Sequence, residues 1–94
     1  MLLGVVGVGG AAETITSDPV CCTYSKAEFQ SNEGERPVFS GNEIDFHNVS
    51  AKGRGPDGGK LFRSRDIRGG TSPVEGAQYL SAGSYRFECT LHLG

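Results

Sequence analysis

Residues 51–60, AKGRGPDGGK, set Pro56 and four glycines into ten positions. A helix fails there twice, because proline removes a backbone donor and each glycine adds conformational entropy to be lost. RGGTSPVEGA at 68–77 and the Ala82–Gly83 pair repeat the interruption, and no stretch of normal helical length between them carries apolar residues at three- and four-residue spacing. What survives is a set of short segments joined by turns and loops. The 15 glycines and 4 prolines among 94 residues follow no strict period, as in small all-β domains rather than in fibres.

The segments that alternate are expected to be strands. Tyr24, Ala27 and Phe29 suggest one near residues 23–29, LFRS at 61–64 a short one, and QYLSAG at 78–83 an approach into a turn. In RPVFSGNEIDFHNVS, Val38 precedes a glycine turn, and Ile44 and Phe46 alternate with Asp45 and His47. That pattern predicts a half-buried strand with His47 facing away from the core or standing at the strand end. SYRFECTL alternates best: Tyr85, Phe87, Cys89 and Leu91 share one face, Arg86, Glu88 and Thr90 the other. An antiparallel sandwich or partly closed barrel suits these strands. Neither an internal repeat nor a linker divides the chain, so residues 21–94 read as one domain. A domain of this size buries little apolar surface, and a bound metal would be an effective staple.

The apolar start, MLLGVVGVGGAAETITSDPV at 1–20, has no Lys or Arg before its run, which is too short and glycine-rich for a transmembrane helix. A degenerate export segment or N-terminal extension, a buried strand and a misplaced start are the alternatives. The net charge of -2 argues for neither a nucleic-acid nor a membrane partner. It hides an asymmetry, because Lys52, Arg54, Lys60, Arg63, Arg65 and Arg68 face only Asp57 and Asp66 within 52–68, a basic lobe. Phosphate-loop, serine-elbow and HExxH signatures are absent from the sequence.

Three cysteines leave at least one unpaired, and adjacent Cys21 and Cys22 are poorly spaced to bridge each other. Either could bridge Cys89 in an oxidising compartment, at the expense of its thiolate. Structural zinc through Cys21, Cys22 and Cys89 fits less well, since its cysteines are usually two to four residues apart. Cys89 and His92 lie three apart at a strand end, and His47, followed by Asn48, is the other histidine. One thiolate and two imidazoles form the donor set that suits copper in electron-transfer sites. The plainer alternative makes Cys89 a small buried hydrophobe and both histidines surface residues.

YLSAGSYRFECTLHLG at 79–94 resembles the end of a blue copper protein of the cupredoxin or plastocyanin type, where a glycine turn leads into a tyrosine-containing strand and a Cys-x-x-His loop. FHNVSA at 46–51 resembles the segment that supplies the first histidine and its following asparagine, and GPDGGKLFRS and IRGGTSPV resemble the intervening loops. The likeness spans residues 38–94. It implies a small Greek-key β-sandwich of cupredoxin-like fold, with copper ion (Cu+/Cu2+) held by His47, Cys89 and His92. Asn48 would tie the two ligand loops together. It further implies an electron carrier rather than an enzyme, a redox partner protein, no nucleic acid, and an exported location, periplasmic or extracellular, with or without a membrane tether. The chain departs from the family pattern in having Met1 as its single methionine and in fusing strand and histidine segment into EIDFHNV. Nothing follows Gly94, so the final strand is expected to be missing, leaving the strand before Cys89 open on one side and prone to edge-mediated association; a complete fold would be monomeric.

Two alternatives accompany this expectation. One is a non-redox copper-binding or structural module with a degenerate metal site. The other is nucleic-acid binding through residues 52–70, with glycine-flanked arginines on phosphates and Phe62 stacked on a base.

Overall fold

A computed structural model of the chain describes residues 3–17, 24–56 and 58–91. The described residues form strands β1 (Leu3–Val8), β2 (Ile15–Thr16), β3 (Glu28–Ser31), β4 (Val38–Ser40), β5 (Ser50–Ala51), β6 (Thr71–Pro73) and β7 (Gly83–Glu88), with a short 3-10 turn at Ala77–Tyr79. One sheet has the order β3-β1-β7-β5 and the other β2-β4-β6, so the fold is all-β. Each sheet mixes one parallel pair, β1 with β3 and β2 with β4, with antiparallel neighbours. No helix among the described residues is long and apolar enough to cross a membrane.

A single apolar cluster joins the sheets. Val6, Phe29, Ala51 and Phe87 contribute from the larger sheet and Ile15 and Phe39 from the smaller, with Tyr24, Val49, Phe62, Val74, Ala77 and Cys89 from the connections. Phe87 is its hub: the ring of Tyr24 stands edge-on to it at 4.8 Å between centroids, and Phe29 and Phe62 each lie at 6.4 Å. Tyr24 also reaches Phe39, 6.3 Å away, so one aromatic chain crosses between the sheets.

Within the apolar start, Leu3–Val8 form strand β1. β1 lies in the interior of the larger sheet, antiparallel to β7 from Leu3 opposite Glu88 to Val8 opposite Gly83, and parallel to β3 on its other side. Its glycine content has a local cause, because a Cβ on Gly4 would stand 2.4 Å from Cζ of Phe87, its partner across the ladder. The ring lies over the glycine and fills the space a side chain would need. Pairing of β7 with β1 on one side and β5 on the other also corrects the expected open edge beside the cysteine strand: among the described residues β3 and β5 form the edges of this sheet.

Other expectations change as well. The strand expected near 23–29 begins at Glu28, and Thr23 lies outside the described residues. Residues 61–64 make single bridges rather than a strand, and β6 arises inside the stretch expected to be a loop. β7 ends at Glu88, after which the chain turns and leaves Leu91 44% exposed rather than on the inward face. The largest difference concerns residues 42–46. Asn42 Oδ1 accepts hydrogen bonds from the backbone N–H groups of Ile44 and Asp45, and Asp45 Oδ1 accepts from that of Phe46. These local side-chain bonds compete with a ladder and curl the segment into a bend, so the predicted half-buried strand does not form.

Candidate metal centre

His47 is placed by two backbone bonds with Ile67, its N–H donating to the Ile67 carbonyl at 2.9 Å and its carbonyl accepting from the Ile67 N–H at 3.0 Å. Val49 is clipped next to it: its N–H donates to Ser64 Oγ and its carbonyl accepts from the Ser64 N–H, each at 2.8 Å. These bonds hold residues 47–49 flat against residues 64–67 and turn the His47 imidazole inward. His47 is fully buried, so of the two placements the alternation left open it does not face away from the core, and the plainer alternative of a surface histidine does not hold for it.

Cys89 arrives from the other direction. β5 and β7 are antiparallel with Ser50 opposite Glu88, and carrying that register on by two residues sets Asn48 opposite Thr90. There the Asn48 side chain takes over from the ladder. Its Oδ1 accepts the Thr90 N–H at 3.0 Å, and its Nδ2 donates to Thr90 Oγ1 at 2.7 Å and to Asp66 Oδ1 at 2.8 Å. Tyr24 completes the arrangement by donating its hydroxyl to the Asn48 carbonyl at 2.6 Å. Burial, with smaller contributions from Cys89 and Glu88, pushes that phenol well above its ordinary range, so it stays a donor.

The outcome is a buried pair. Cys89 carries a free thiol without solvent exposure, and its Sγ stands 4.0 Å from Nδ1 of His47. A sulfur and a nitrogen that share one first-row metal ion, at about 2.3 and about 2.0 Å from it, stand roughly 3.5 to 3.8 Å apart at tetrahedral or trigonal angles. The observed spacing needs only a small contraction to match, and the donors are the soft thiolate and imidazole that such ions favour.

The structure thus brings together three of the four residues singled out from the sequence, His47, Asn48 and Cys89. His92, the fourth, lies outside the described residues, as do Cys21 and Cys22. Among the described residues no group of three or more His, Cys, Asp and Glu side chains converges. Tyr24, Ser64, Asp66 and Thr90 complete the site and were not foreseen; their contacts with residues 47–49 span 15 to 42 positions of sequence, and no local pattern marks them. The basic lobe is partly neutralised, with Arg63 against Asp66 and Lys60 against Glu88. Phe62, the ring considered for base stacking, is buried in the core.

Comparison of the sequence with protein-family models, with curated proteins and with solved structures gave no match.

Proposed function

We propose that the protein binds a copper ion through His47, Cys89 and His92 and serves as a small electron carrier rather than an enzyme. The observation that carries this reading is the buried Cys89–His47 pair, 4.0 Å between Sγ and Nδ1, with Asn48 bonded to the residue after the cysteine. A copper ion held there would supply one-electron redox chemistry. The chain's own part is to hold both donors away from water and in fixed geometry, which lowers the rearrangement accompanying a change of charge. Thiolate favours the reduced ion, imidazole serves both states, and the apolar surround of Phe87 and Val49 would help to set the potential. An exported location and a redox partner protein belong to the same proposal, since abundant cytosolic thiols would compete with Cys89 for the ion.

Titration of the purified chain with copper, followed by visible absorption, tests the reading. An intense thiolate-to-copper band should grow to one equivalent, vanish in Cys89→Ser, weaken in His47→Ala and persist in Cys21→Ser and Cys22→Ser. Equal loss from all three cysteine variants would refute the single-thiolate site. Copper binding without colour would point to the non-redox module instead.

A further inference from the structure

Asp66 was singled out by nothing in the sequence except as a counter-charge in the basic lobe, yet it touches the Asn48 amide. An asparagine side chain has an acceptor end and a donor end that can exchange by a half-turn. The Thr90 N–H demands the acceptor end. Thr90 Oγ1, 2.7 Å from Nδ2, does not discriminate, because a hydroxyl can donate or accept. Asp66 Oδ1 at 2.8 Å does, because a carboxylate only accepts. The charge on Asp66 also polarises the amide along its length and strengthens Oδ1 as the acceptor for Thr90. That N–H belongs to the peptide that immediately follows Cys89, so the plane of this peptide bears on the direction in which Sγ leaves the backbone.

We propose that Asp66 is a positioning residue for Cys89: acting through Asn48, its carboxylate fixes the Cys89–Thr90 peptide and keeps Sγ facing His47. This deepens the copper reading and rests on it for its functional meaning, although the mechanical linkage exists in the metal-free chain. Asp66 is half-exposed, with 44% of its side-chain surface accessible. It also contacts Arg63 Nη2 at 3.4 Å, the interaction a purely surface role would rest on.

Amide hydrogen exchange on the isotopically labelled, metal-free protein separates the two roles. In Asp66→Ala the Thr90 amide should exchange about tenfold faster, the scale of one lost hydrogen bond, while amides of β4 and β6 keep their rates. Asp66→Asn, which retains an acceptor oxygen without the charge, should fall between Asp66→Ala and the parent, and it decides the matter if the alanine variant does not fold. Arg63→Gln should leave Thr90 within about twofold of the parent. With copper added, the thiolate band should shift in position in Asp66→Ala and less in Asp66→Asn. Unchanged Thr90 exchange in both Asp66 variants, or equal acceleration in Arg63→Gln, would overturn the proposal. A parent protein that stays colourless with copper would defeat the carrier reading, while the exchange rates would still decide the role of Asp66.

Discussion

Ile44 and Phe46 stand at 57% and 49% exposure, whereas His47, Asn48 and Ser50, immediately after them, are shut away from water. In the first stretch, residues 42–46, the backbone N–H groups of Ile44, Asp45 and Phe46 bond to side chains of the stretch itself, and it drifts outward. The second, residues 47–51, bonds its backbone to Ile67, Ser64 and Phe62, and is drawn under the core. Here burial goes with backbone hydrogen bonds to neighbouring segments, and an apolar side chain on a self-bonded turn stays outside. The difference locates the site, because burying the Asn48 carboxamide is costly unless neighbours pay the desolvation back in hydrogen bonds, as Asp66 and Thr90 do.

The harshest way to break this contrast is Asn48→Ala. It removes three side-chain bonds and leaves the Thr90 N–H without its acceptor. A loss of about 2 to 4 kcal/mol is expected, read as a lower urea midpoint at unchanged slope. A loss below about 1 kcal/mol would mean that the buried polar cluster is incidental to the fold.

Much of the architecture can be seen in the chain itself, and the failures share a cause. Glycine and proline punctuation exposes the all-β class, and the alternation of Tyr85, Phe87 and Cys89 reveals β7, because both signals are local. The interior place of β1 is hidden, since what makes glycine acceptable there is a ring more than eighty residues away in sequence. His47 and Asn48 were identifiable as residues of interest, but their burial was not. Two-residue alternation outweighed the signal of Asn42 and Asp45, short polar side chains able to bond their own backbone and cancel a strand. Asp66 and Tyr24 act on Asn48 across 18 and 24 positions, and only the folded topology shows it.

Ser50 sharpens the contrast, because there a buried polar group of the stretch goes without a hydrogen bond among the described residues. Its Oγ is inaccessible and has no hydrogen-bond partner among the described residues, although its backbone lies in the β5–β7 ladder opposite Glu88. Ser50→Ala deletes that hydroxyl and keeps the ladder. Stability should hold or rise by about 1 kcal/mol, whereas Ser64→Ala, which strips Val49 of its acceptor, should fall by about as much. Matching losses in calorimetry of the two variants would show that Ser50 Oγ has a partner after all.

The smallest effects belong to the exposed stretch. Ile44→Ser removes an apolar side chain that already lies more than half in water, so little hydrophobic free energy is at stake, and the bend keeps its bonds because Asn42 Oδ1 binds the backbone N–H of residue 44 rather than its side chain. A change within about 0.5 kcal/mol is expected. Phe46→Ser should cost somewhat more, since the Arg68 guanidinium sits 5.5 Å from the ring centroid and an exposed cation–π contact adds about 0.5 to 1 kcal/mol. The two variants therefore separate apolar exposure from the cation–π contact that Phe46 makes with Arg68. Raising the salt concentration should shrink the Phe46 effect toward that of Ile44, because the attraction is electrostatic and solvent-exposed. If Ile44→Ser instead cost as much as Asn48→Ala, the outward stretch would be carrying the fold, and the division at His47 would no longer hold.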